Sequence, residues 1–186
     1  ARFAGSRHLG IHLDGARIFN AAVKLKTDVT QISQYADTVS CCLSKGLGAP
    51  VGSVLAGPEN MIDSARRWRK MLGGGMRQAG ILAAAGIHAL THHVHRLEQD
   101  HANAAALEQG LTDIPAVSMD PAGVQTNMLH ARIDADLDDL SRYMKETGIL
   151  ISPGRPVRMV THLDIDRQDI DTVINAFKRY FKKTAS

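Results

Sequence analysis

Apolar and polar positions change period several times along the chain, and each change marks an element. Leu9-Gly10-Ile11-His12-Leu13 is a short apolar run that stops at Asp14-Gly15, which predicts a strand ending in a polar turn. Ala16 to Leu25 then carries a helical period, and a weaker helical stretch follows. Asp37 to Leu43, rich in small and β-branched residues, predicts a second strand. Gly46-Leu47-Gly48-Ala49-Pro50 breaks it, and Val51 to Ala56 predicts a third. Strand, helix, strand in that order is the βαβ pattern of a buried parallel sheet.

Pro58 opens a helix with Met61, Ile62, Ala65 and Trp68 on one face, and Gly73-Gly74-Gly75 ends it. Met76, Ala79, Gly80, Ala83, Ile87, Leu90 and Val94 recur at steps of three and four, predicting one long helix. Its small residues suit close packing against another helix or a subunit. The texture changes near Asp113-Ile114-Pro115. Beyond it the pattern predicts a strand (Thr126 to Ile133), a helix (Asp136 to Thr147), two strands (Gly148 to Ser152 and Val157 to Thr161) and a last helix. That helix aligns Ile170, Val173, Ile174, Phe177 and Phe181, and its Lys178-Arg179 and Lys182-Lys183 suit a helix C-terminus. The expected organisation is an α/β unit with a mostly parallel sheet over residues 1–115 and a small α+β domain over 116–186.

Composition narrows the function classes. A hydrophobic fraction of 44% with 22% charged residues supports a packed core and rules out a disordered chain. The apolar run from Ala79 to Leu90 contains His88 and is too short to span a bilayer, which takes about 20 residues. The N-terminal residues show no signal-peptide core. Arg66-Arg67-Trp68-Arg69-Lys70 invites a nucleic-acid reading, but a net charge of +3 is a weak field and aromatics are only 4% of the chain. Nucleic acid is therefore not an expected partner. Cys41 and Cys42 are adjacent; bridging neighbours is strained, so a reducing, cytoplasmic setting is expected. With no activating group evident they read as small core residues, and Met71, Met76, Met128 and Met144 as packing. His88, His92 and His95 share a helical face, but no carboxylate or cysteine completes a ligand set, so no resident metal is predicted.

Two residues stand where chemistry is expected. Asp14 closes the first predicted strand and Lys45 follows the second, and in an open α/β sheet ligands bind beyond the carboxyl ends of the strands. A carboxylate and a lysine flanked by Gly46, Gly48 and Pro50 fit a pyridoxal phosphate site, where the lysine binds the cofactor aldehyde and the carboxylate pairs with the pyridinium nitrogen. From spacing alone, a salt bridge or two unrelated surface groups remain open.

The residues themselves go further. His12-Leu13-Asp14-Gly15-Ala16-Arg17 and Ser44-Lys45-Gly46-Leu47-Gly48-Ala49-Pro50-Val51-Gly52-Ser53 resemble the cofactor-binding segments of the low-specificity L-threonine aldolases. These belong to the β-eliminating lyase group of the aspartate-aminotransferase fold type (fold type I). Lys70-Met71-Leu72-Gly73-Gly74-Gly75-Met76-Arg77-Gln78 and Arg158-Met159-Val160-Thr161-His162-Leu163-Asp164 resemble the same family, in order along the chain. The resemblance implies the C-terminal part of a large domain, followed by the small domain. It implies pyridoxal 5'-phosphate as cofactor, Lys45 as the Schiff-base lysine and Asp14 as the pyridinium partner. Arg17 and Arg158 match the arginines that hold the substrate carboxylate, which suits a planar guanidinium. Lys70 and Arg77 match polar residues near the active site or a neighbouring subunit's cofactor. Read without the resemblance, Arg17 is a helix-start salt-bridge former and Arg158 a strand-edge charge.

The implied reaction is cleavage of a β-hydroxy-α-amino acid to glycine and an aldehyde in a homo-oligomer, a dimer or tetramer. The alternatives are β-elimination on the same scaffold and a catalytically incomplete chain acting as a binding or assembly module. The family's ring-stacking histidine and most of its phosphate loop have no counterpart in these 186 residues, so this chain alone is expected to show little turnover.

Overall fold

The computed structural model describes residues 1–184. Its contacts divide it into two compact units, Ala1–Leu97 and Glu98 onward.

The first unit runs α1 (Arg2–Ser6), β1 (His12–Asp14), α2 (Ile18–Leu25), α3 (Thr30–Ser33), β2 (Thr38–Cys42), β3 (Ser53–Ala56), α4 (Glu59–Met71) and α5 (Gly80–His92). β1 pairs with β2 in parallel, as the βαβ pattern requires, and β3 adds antiparallel to the other edge of β2. α2 turns Ile18 and Ala22 inward, and Lys26, in the left-handed region (φ 52°), ends it by aiming the next amide, of Thr27, at Ala22 O (3.0 Å). The buried apolar set here is small: Leu43, Leu47, Ala49, Ala89 and Leu97, with Phe19, Val23 and Val94 against it.

Much apolar surface in this unit finds no cover. α4 buries no residue, and its expected inward face leaves Met61 and Trp68 exposed. Val54, Leu55, Met71, Met76 and Ile87 are exposed too, so Met71 and Met76 do not serve as core packing. Cys41 and Cys42 are half-buried.

The second unit contains α6 (Leu97–Thr112, all but its first residue), β4 (Val117–Met119), β5 (Met128–Ile133), α7 (Leu137–Glu146), β6 (Val157–Val160) and α8 (Arg167–Thr184). Its sheet is antiparallel in the order β4-β5-β6. Along β5 the alternation buries Leu129, Ala131 and Ile133 and turns His130 and Arg132 outward. Leu107, Leu111, Leu140, Met144, Ile170 and Phe177 from the helices close over the inner face. Side chains of this kind contribute about 1.5–3 kcal/mol each when fully buried. Gly110 lets α8 approach α6, since a Cβ there would overlap the Ile174 side chain. Asp136 caps α7 by accepting from the amides of Asp138 (3.0 Å) and Asp139 (3.1 Å).

The compact units divide at Leu97/Glu98, with Leu107 and Leu111 burying α6 in the second unit's core. Two expectations change. The long helix expected over Met76 to Val94 is the shorter α5, and α6, which follows non-helical turns at 93–96, has no counterpart in the expected pattern. Gly148 to Ser152 forms no strand. Ile149 and Ile151 pack against the core without a ladder partner, after Gly148 (φ 83°) has turned the chain out of α7.

Candidate active site

The parallel register sets Asp14 beside Ser40, so β1 ends next to β2. Lys45 follows just beyond the end of β2, at the same edge of the sheet. The turn after Asp14 is tight. The buried Gly15 donates its N–H to Ser40 O (2.8 Å), and a Cβ on it would lie 2.9 Å from that oxygen and 3.2 Å from Val39 Cγ1. Only glycine leaves the two strands at this spacing. The Asp14 carboxylate accepts from the Ala16 amide (3.2 Å) and its side chain is otherwise open to solvent. His12 ties the strands together, with Nδ1 2.9 Å from Thr38 Oγ1 and Nε2 3.4 Å from Ser40 Oγ.

Around Lys45 the backbone is held while the side chain is exposed. Gly48, in the left-handed region (φ 69°), donates to Lys45 O (2.8 Å), and Ala49 donates to Leu43 O (3.0 Å). Gly46 is buried, and a Cβ there would meet Leu97 Cδ2 at 2.9 Å. His93 donates from Nδ1 to Leu47 O (2.6 Å). The Lys45 ammonium has no hydrogen-bond or ion-pair partner among the described residues.

Arg17 precedes α2 at this same edge, half-buried, and its Nε is buried without a partner. Leaving such a donor unmet costs about 1–3 kcal/mol. A hydrogen-bond acceptor, a carboxylate or phosphate oxygen among them, would meet it. A carboxylate ending β1, a lysine beyond β2 and a guanidinium with an unmet Nε are the kinds of group that would hold pyridoxal 5'-phosphate and an amino-acid carboxylate.

The remaining predicted residues lie elsewhere. Arg158 is exposed on β6 of the second unit, opposite His130 in the ladder, and borders a cavity of about 620 Å³ also lined by Gly148–Ser152, His162 and Asp164. Lys70 is exposed at the end of α4 and Arg77 in the loop beyond. The glycines between them form no anion cradle: the amides of Gly73 (to Lys70 O, 3.3 Å) and Gly74 (to Arg69 O, 2.8 Å) cap α4. Cys41 and Cys42 sit in β2, and burial pushes the Cys41 thiol up, away from the thiolate a nucleophile needs.

Sequence reasoning missed His93 and Asp37 as supports. Asp37 Oδ2 accepts from the Ile11 amide at 2.7 Å, holding the chain just before β1. An acid at the start of a strand opposite another strand's entry was a readable signal for Asp37. Nothing local marked His93.

Comparison with known proteins gives the family. Residues 1–134 match the family described as beta-eliminating lyase, and the chain belongs to that family. It is 46% identical over 97% of its length to the low specificity L-threonine aldolase of Escherichia coli K12, covering 54% of that protein. It is 43% identical over 93% of its length to a probable low-specificity L-threonine aldolase of Arabidopsis thaliana, covering 50%. The chain thus spans about half the length of the curated relatives it matches. A putative L-allo-threonine aldolase from Listeria monocytogenes shares the fold, with a TM-score of 0.81 at 19% identity over 96% of this chain and 54% of that one.

Proposed function

We propose that this chain carries part of a pyridoxal 5'-phosphate-dependent enzyme that cleaves β-hydroxy-α-amino acids of the threonine type to glycine and an aldehyde. The observation that supports the reading is the parallel register that ends β1 at Asp14 beside β2, the strand that leads to Lys45, with the Arg17 Nε buried and unmet. The family and its aldolase relatives supply the reaction class.

Each residue then has a task. Lys45 Nζ would hold the cofactor through its aldehyde carbon. Asp14, kept in place by the Ala16 amide and by the rigid turn at Gly15, would pair with the cofactor's pyridine nitrogen. The cofactor, when bound, supplies the electron sink for the pair released as the Cα–Cβ bond opens. Arg17 would grip the substrate carboxylate, which fixes the bond to Cα that breaks, and is also assigned to cofactor binding; Arg158, on the second unit, is assigned to substrate binding from its motif. Lys70 and Arg77 are assigned to the polar surroundings of this or a neighbouring subunit's site. The working form is a cytoplasmic homo-oligomer that includes the portion of the relatives this chain does not span. Among the described residues no helix is long and apolar enough to cross a membrane.

Borohydride reduction of the chain after incubation with the cofactor, followed by peptide mapping, tests the reading. The label is expected on Lys45 and absent from Lys45→Ala; label on any other lysine overturns the assignment. Product analysis of the assembled enzyme with threonine, allo-threonine and serine separates aldol cleavage from elimination. Aldehyde plus glycine supports the first, a keto acid plus ammonia the second. The 186-residue chain by itself is expected to turn over little or no substrate in the same assay.

A further inference from the structure

Four histidines crowd the end of α5, and the structure sorts them. His88 and His92 lie one helical turn apart and are both exposed, with ring centroids 4.6 Å apart and planes inclined by 44°. His93, at the C-cap, stands edge-on to His88 with centroids 5.2 Å apart, and its Nδ1–H donates to Leu47 O. His95 joins neither ring contact. We propose that His88 and His92 form a two-imidazole chelate for a borderline divalent cation of the zinc, nickel or copper class. The chelate is independent of the role assigned to Lys45.

Spacing, distance and field all favour a cation there. Histidines at i and i+4 on one helical face are a metal-binding arrangement in their own right. Two imidazoles sharing a cation at a metal–nitrogen distance of about 2.0–2.1 Å hold their ring centres on the order of 4.5–5.2 Å apart, and the 4.6 Å separation falls in that range. The pair also sits in the last turns of α5, where unsatisfied carbonyls give the helix end a partial negative charge that favours a cation.

Among the described residues no group of three or more His, Cys, Asp or Glu is placed to hold a metal ion, so the chelate is a two-ligand one. His93, with its Nδ1 bonded to Leu47, sets its ring against that of His88. On sequence alone this face lacked a third ligand and predicted no resident metal. The structure adds that two of its rings already lie within chelating distance of each other.

Calorimetric titration of the untagged 186-residue chain with Zn²⁺, and separately with Ni²⁺, tests the chelate. One cation per chain is expected. Losing a ligand costs no less than losing a second-shell partner, so His88→Ala and His92→Ala should each weaken binding by about tenfold or more. His95→Ala should match the parent chain. Absence of binding, binding that survives in the double His88→Ala/His92→Ala variant, or an equal loss in His95→Ala overturns the proposal. Electron paramagnetic resonance of the unaltered chain with Cu²⁺ gives a reading without variants. Two coordinated imidazole nitrogens support the chelate; one or none rejects it.

Discussion

The two units bury their apolar patterns very differently. In the second, the α8 stripe and the alternating residues of β5 meet in one core, and Leu111, Ala131, Leu140, Met144 and Phe177 are fully enclosed. In the first, α4 has as regular an apolar face and buries none of it, while Leu72 and Ile81 are 82% and 84% exposed. Amphipathic period dictates that a helix forms. It does not say what covers the helix, because the partner surface is set by another stretch of chain.

The sharpest way to break this contrast is to cut into both units. Phe177→Ala should destabilise the second unit by about 3–5 kcal/mol through a cavity in a sealed core. Leu72→Ala should stay within about 0.5 kcal/mol. Urea unfolding followed by circular dichroism measures both, and comparable costs would mean that the first unit is not the open one. A smaller effect is expected from glycine. Gly110→Ala forces a Cβ into Ile174 and should cost about 1–3 kcal/mol. Gly80→Ala in α5 meets nothing within 4 Å and should be neutral or stabilising by about 0.4–1 kcal/mol. Differential scanning calorimetry ranks the pair.

The mildest test is acid. The amides of Asp139 and Asp138 hold the Asp136 carboxyl below its ordinary range. A carboxyl lowered on folding contributes stability that is complete above its unfolded value and fades as pH falls through the lowered one. Thermal scans at descending pH should therefore show the second unit losing that contribution only in strong acid. Asp136→Ala should lower the melting temperature at neutral pH and flatten this limb; an unchanged limb would separate the cap from the acid response.

Legibility followed locality. β1, α2 and β2 were readable because apolar runs end at Asp14-Gly15 and at the Gly46–Pro50 breaker, and α7 because Asp136 announces its own cap. The candidate residues Asp14 and Lys45 were nameable from their motifs, and the parallel register sets Asp14 beside the strand that leads to Lys45. What stayed hidden depends on distant partners. No glycine or proline separates α5 from α6, and His93 at the break binds Leu47, far back in the chain. β4 is too short to show a period, and Ile149 and Ile151 alternate like a strand although their neighbours are side chains of a core. The unmet Arg17 Nε belongs to the same class: no pattern of residue types announces a buried donor that lacks an acceptor.

Trp68 on the bare face of α4 is the chain's single tryptophan, 59% exposed. An indole in water emits at longer wavelength than one in an apolar contact and is open to soluble quenchers. The chain therefore carries its own optical gauge on the surface that lacks a cover. A blue shift together with loss of iodide quenching would register, without any label, the moment that surface is closed.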